Sequence, residues 1–204
     1  MIAIIDYGVG NLFSLESSFS AIGERCTVTS SPDEIKNADK IILPGVGAFA
    51  DAMEKLRKTE LIPIIKKEIS DGKPLLGICL GMQLLFSKSY EYGEHDGLEL
   101  IDGEIRPIKD VVPANAKIPH IGWNSLHFTC DNELFKYIAD GDFVYFVHSY
   151  FADGCEKNVI ANTDYYAPLT AAVCSGAVYG CQFHPEKSGT AGLKILKAFC
   201  ELKG

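Results

Sequence analysis

From Ile2 to Ser87 the sequence repeats one pattern: a short apolar run, a turn, then apolar residues at helical spacing. "IAIID" (2–6), "CTVTS" (26–30), "KIILPG" (40–45) and "PLLGI" (74–78) read as strands. Between them, "NLFSLESSFSAIG" (11–23), "DEIKNA", the stretch from about Ala48 to Lys58, "LIPIIKKEIS" and "LGMQLLFSK" read as helices. Strands alternating with helices predict an α/β fold, an open and mostly parallel sheet with helices on both faces. After Tyr90 the rhythm changes. "LELIDGEIRPI", "HIGWNSLHF", "DFVYFVHSYF", "KNVIANT", "TAAVCSG" and "VYGCQFHPE" are strand-like and separated by turns, so the sheet should be mixed, with antiparallel edges. A helix from about Gly189 to Leu202 closes the chain. No internal repeat or low-complexity linker interrupts it, and residues 1–204 are expected to form a single domain.

With 47% hydrophobic and 23% charged residues the chain is globular. A net charge of −8 without a Lys/Arg-rich run excludes a nucleic-acid grip and points to a small substrate or a protein partner. No apolar stretch reaches membrane-spanning length, and "MIAIIDYG" is too short and too acidic for a signal peptide. Seven cysteines without a C-x-x-C pair fit a reducing, cytoplasmic setting in which most are small buried apolar residues. A cysteine with a special setting therefore stands out.

Cys79 has one. Gly77-Ile78-Cys79-Leu80-Gly81 is a G-x-C-x-G turn between a predicted strand and a predicted helix, the arrangement of a nucleophile elbow. The strand presents the residue at the sheet's end, and the flanking glycines make room where strand and helix press on the turn. The helix aims free N–H groups and its positive end at the sulfur, which favours the thiolate and makes the Leu80 N–H an oxyanion donor. A chance pattern around a buried thiol is the plain alternative. A thiol nucleophile also needs a base held by a third group. In "CQFHPEKS", His184 and Glu186 stand two apart, so an extended segment would point both to one side, with Pro185 stiffening it. A surface turn is the alternative there. His95, His120, His127 and His148 have no carboxylate so placed and are read as non-catalytic.

"ILPGVGAF" (42–49) ends a strand and turns on Gly45 and Gly47. In a parallel sheet this loop and Cys79 share an edge, where backbone N–H groups of Gly45, Val46 and Gly47 could complete an oxyanion hole. It has no G-K-[ST], and neither "GVGAFA" nor "DYGVGNLF" supplies the third glycine of G-x-G-x-x-G, so nucleotide-loop readings fail.

Taken together, "IIDYGVGNL", "LPGVGAF", "GICLGMQLLF", "PHIGWN", "YFVHSYF" and "QFHPEKS" make the chain resemble the class I (triad) glutamine amidotransferases along nearly its whole length. Within them it is most similar to the glutaminase subunits of imidazole glycerol phosphate synthases. That resemblance implies a glutaminase with Cys79 as nucleophile, His184 as acid and base, and Glu186 orienting it. It implies no cofactor and no metal. It places glutamine against Gln83, Gly47 and the backbone around His148, Ser149 and Tyr150, and makes the Gly45–Gly47 loop flip before it donates. It also implies a (β/α)8-barrel cyclase partner that consumes the ammonia, with Asn11, Trp123, Tyr145 and Lys187 at or near the interface. Each of those four has a plain alternative: helix cap for Asn11, core aromatics for Trp123 and Tyr145, surface charge for Lys187. A glutaminase serving pyridoxal phosphate or anthranilate synthesis, a cysteine-peptidase-like hydrolase, and a non-catalytic docking subunit remain as rivals.

Overall fold

The computed structural model describes residues 1–203. β1 (Ile2–Ile5), β3 (Lys40–Leu43) and β4 (Leu75–Ile78) are buried at every position, as strands covered on both faces must be. With β2 (Cys26–Thr29) and β14 (Val178–Cys181) they form the parallel part of an eight-stranded sheet, ordered β2-β1-β3-β4-β14. β13 (Ala167–Ser175), β12 (Val159–Tyr165) and the short β9 (His127–Phe128) extend it antiparallel. The expected mixed sheet is therefore present.

Alternate residues of the parallel strands feed two cores. Ile2 and Ile4 join Leu15 and Phe19 of α1 (Leu12–Ala21) and Ile195, Leu196 and Phe199 of α6 (Gly189–Glu201) on one face. Ala3 and Ile5 join Ile35 of α2 (Pro32–Asn37), Phe49, Met53 and Leu56 of α3 (Phe49–Lys58) and Ile65 of α4 (Ile62–Ser70) on the other. Two smaller sheets pack outside this layer. β5 (Phe86–Ser89), β6 (His95–Asp96), β7 (Ile101–Pro107) and β11 (Tyr150–Asp153) pair in the order β11-β7-β5-β6. β8 (His120–Ser125) pairs antiparallel with β10 (Phe143–His148) as a two-stranded ribbon.

One expected element is different. The helix after Cys79 spans only Leu80–Gln83 (α5) instead of running to Lys88, because Phe86–Ser89 pairs with β7. Apolar residues at helical spacing there serve a turn followed by a strand; sheet pairing overrides the local period. Cysteine burial also differs in part. Cys79, Cys155 and Cys181 are buried, Cys26, Cys174 and Cys200 half-buried, and Cys130 is exposed. Among the described residues no helix is long and apolar enough to cross a membrane.

Candidate active site

Parallel pairing brings the carboxyl ends of β3, β4 and β14 to one edge, and the residues that follow each strand share one pocket there. Val46 and Gly47 come from the loop after β3, Cys79 and Leu80 from the turn after β4, and His184 from the segment after β14. Gln83, Glu91, His148, Ser149 and Tyr150 also line the pocket, whose volume is about 280 Å³.

Cys79 adopts φ 55° and ψ −113°, a conformation that L-residues rarely hold. The two glycines explain how the chain tolerates it. A Cβ on Gly81 would lie 1.9 Å from the Leu43 carbonyl oxygen, and one on Gly77 would lie 2.7 Å from the Gly81 carbonyl oxygen. The elbow is thus pressed against β3 on one side and its own helix on the other, which turns the cysteine side chain off the strand. The four-residue α5 gives much less dipole at the sulfur than the nine-residue helix expected from sequence. The polar partners around the sulfur must carry more of its electrostatics.

One of these is His184, which lines the same pocket. Its Nδ1 lies 2.8 Å from Glu186 Oε1, and both side chains are buried. The carboxylate fixes the tautomer with Nδ1 protonated and turns Nε2 outward. Burial lowers the imidazole pKa, but hydrogen bonding and charge from Cys79 and Glu186 outweigh it and hold it at about 9. The contact arises differently from the sequence expectation. His184 is extended, as expected before proline, but Pro185–Lys187 forms a 3-10 turn that curls Glu186 back to the ring. Glu186 Oε2 is buried with no hydrogen-bond partner among the described residues.

The loop from Gly45 to Gly47 borders the pocket, with Gly47 at φ +94° and Val46 exposed. Tyr7, which sequence reasoning passed over, donates from its buried hydroxyl to the Pro44 carbonyl at 2.6 Å and so anchors the loop's start. Glu91 was also missed. Its Oε2 accepts from the Phe49 N–H at the start of α3 at 2.5 Å, and burial raises its pKa against the lowering effect of that N–H. Only the tertiary fold reveals it, since no motif surrounds it. Gln83, buried one turn after Cys79, donates to the Tyr150 carbonyl at 3.2 Å. His148 Nδ1 donates to the same carbonyl at 2.8 Å, and His120 Nδ1 to His148 Nε2 at 2.9 Å, so both rings are neutral links in a buried chain. Burial is the first cause of their low pKa values, about 4 for His120 and about 3 for His148.

The four residues tied by resemblance to a partner interface lie outside the pocket. Asn11 is at the N-cap of α1, but its side chain makes no cap bond. Trp123 is 54% exposed, which removes its core reading, and it meets the half-buried Tyr145 edge-on at 6.2 Å between ring centroids. With Ile121, Phe143 and Val147 they make the outer face of the β8–β10 ribbon apolar. Gly189 packs under Trp123 and shares a groove with Phe13, which is 79% exposed, while Lys187 is exposed beside it. Ile121, Phe143 and Phe13 were missed because apolar residues in strands and helices ordinarily read as core.

The sequence model of the class-I glutamine amidotransferases matches residues 3–202. The chain belongs to that family. It is 51% identical over 203 residues to "Imidazole glycerol phosphate synthase subunit HisH" of Caldanaerobacter subterraneus subsp. tengcongensis, covering 99% of this chain and 98% of that protein. The Lactococcus lactis subsp. lactis protein of the same name is 49% identical, with 98% of each covered. Among solved structures, PurLQS from Thermotoga maritima superimposes with a TM-score of 0.75 at 18% identity, over 98% of this chain and 96% of that one. The glutaminase domain of Trypanosoma brucei CTPS with bound acivicin gives 0.68 at 17% identity, over 100% and 94%. These distant structures share the α/β fold. As a member of the family, the chain is a glutamine-hydrolysing enzyme.

Proposed function

We propose that this chain is the glutaminase subunit of an imidazole glycerol phosphate synthase, acting as one domain over residues 1–204 in the cytoplasm. The observation that carries the catalytic assignment is His184, buried, hydrogen-bonded to Glu186 and lining the same pocket as Cys79, with charge and hydrogen bonding from both neighbours favouring its cationic form. An imidazolium beside a cysteine favours the thiolate partner.

The Cys79 sulfur attacks the carboxamide carbon of glutamine. Backbone N–H groups of Leu80 and of the Gly45–Val46–Gly47 loop hold the oxyanion. His184 gives its proton to the departing nitrogen, releasing ammonia and leaving a γ-glutamyl thioester on Cys79. His184, now neutral, takes a proton from water. The hydroxide adds to the thioester, glutamate leaves, and the sulfur and imidazole regain their starting states. Glu186 holds the ring throughout. Gln83, Gly47 and the strand ends at His148, Ser149 and Tyr150 orient the amino-acid end of the substrate. Glu91, an acidic group on the pocket wall, faces the α-ammonium.

The ammonia passes to a (β/α)8-barrel cyclase docked on the apolar ribbon face and the neighbouring groove, with Asn11, Trp123, Tyr145 and Lys187 in contact. The relatives named for the synthase subunit, at about half identity over nearly full length, support this partner over those of pyridoxal phosphate or anthranilate synthesis. The exposed apolar ribbon supports docking there. Ammonia release from glutamine, measured with and without a barrel cyclase and its nucleotide, tests the reading. The expected result is little turnover alone and strong activation in the complex. Full turnover indifferent to any partner removes the gating, and no glutamate under any condition removes the function.

A further inference from the structure

Gly180, Gln182 and His184 alternate along β14 and its continuation, so they leave the strand on one side. Gly180 makes room for Met82 of α5, and His184 enters the pocket. Gln182 lies between them, fully buried, with its backbone N–H bonded to the Ala171 carbonyl. Both ends of its side chain meet the site. Oε1 accepts from Gln83 Nε2 at 2.9 Å, and Nε2 donates to Cys79 Sγ at 3.8 Å. Gln83 Nε2 also donates to the Tyr150 carbonyl, so both of its hydrogens are used, and its own Oε1 has no hydrogen-bond partner among the described residues.

A glutamine that only filled space here would be a poor choice, since an apolar residue of that volume avoids the cost of burying an amide. We propose that Gln182 is a positioning residue for the reaction, clamping Gln83 for the substrate while its N–H steadies the Cys79 sulfur; this rests on the glutaminase reading above. The contact is long, but it is aimed at an atom that carries negative charge when active, and donors to such an atom favour its ionised form. With α5 so short, this amide supplies part of what a longer helix would have given.

Iodoacetamide alkylation of Cys79, followed by mass spectrometry across pH on the full chain, reads the sulfur without needing substrate. Gln182→Met is expected to react about 3- to 10-fold more slowly near neutral pH, with its profile displaced to higher pH. Its glutaminase activity should show a lower kcat together with a higher KM, because Gln83 loses its clamp. A folded Gln182→Met whose alkylation profile superimposes on that of the unsubstituted protein overturns the proposal. Should that variant fail to fold, the side-chain amide of Gln182 can be followed by NMR in the unsubstituted protein. It should titrate with the midpoint of Cys79 alkylation, and a flat response across that range overturns the proposal equally. A displaced alkylation profile in a protein that releases no ammonia from glutamine supports the sulfur contact and sinks the glutaminase reading instead.

Discussion

Cys79 stores strain that a glycine would not. At φ 55° and ψ −113° its Cβ crowds the backbone, a cost on the order of 1–3 kcal/mol. The usual ranking, in which alanine stabilises relative to glycine, should therefore invert here. Cys79→Gly is expected to be more stable than Cys79→Ala by about 1 kcal/mol in urea denaturation, although both remove the sulfur and abolish glutamine hydrolysis. Equal stability, or the ordinary order, would mean that the elbow is relaxed. The meeting of Cys79 and His184 at one pocket was legible in the sequence because each has a local reason for its neighbours: glycines around Cys79, proline and glutamate around His184. Gln182 and Glu91 were not legible. Their partners, Cys79 with Gln83 and the Phe49 N–H, are remote in the chain and meet only in the folded site.

At the scale of elements, the parallel strands were legible as apolar runs, whereas α5 was misjudged because a turn and a strand can carry apolar residues at helical spacing. Gly81 lets the helix approach β3 so closely that any side chain must displace backbone, not a flexible neighbour. Gly81→Ala should cost about 3 kcal/mol or more, at the upper end of overpacking penalties, seen as a large drop in Tm. A change under 1 kcal/mol would show that the elbow can open. The β8–β10 ribbon makes the opposite prediction. Trp123 has water on its outer side, so Trp123→Ala should alter stability by no more than about 0.5 kcal/mol. If the ribbon docks the cyclase, the same substitution should weaken the complex by about tenfold or more in calorimetry. Unchanged affinity would move the interface elsewhere.

Across the whole molecule, buried histidines set the response to pH, and they act in different windows. His184 has a folded pKa of about 9, above the roughly 6.5 of an unfolded chain. Its contribution to stability is fully present below about 6.5 and is lost as pH rises toward 9. His120 and His148 have folded pKa values of about 4 and about 3, below that reference. The unfolded chain takes up two protons that the native pair refuses, so stability falls as pH drops below about 6.5. Between pH 6.5 and pH 5 the loss is about 2 kcal/mol for each histidine, and His184 offsets only about 0.4 kcal/mol of it because its contribution is nearly complete there. The carboxyls with lowered pKa values, such as Asp102, Glu94 and Glu201, are exposed and titrate mainly below this window. Urea denaturation at pH 7 and pH 5 should therefore show a loss of about 3–4 kcal/mol, and His148→Gln should remove about half of it. A loss below 1 kcal/mol would mean that the pair admits a proton in the native state. The hydrogen bonds from His120 through His148 to the Tyr150 carbonyl would then have to rearrange, and Gln83, bonded to that same carbonyl, would move with them. Fold stability and the seating of Gln83 at the pocket thus depend on the same neutral pair, and both should weaken together in mild acid.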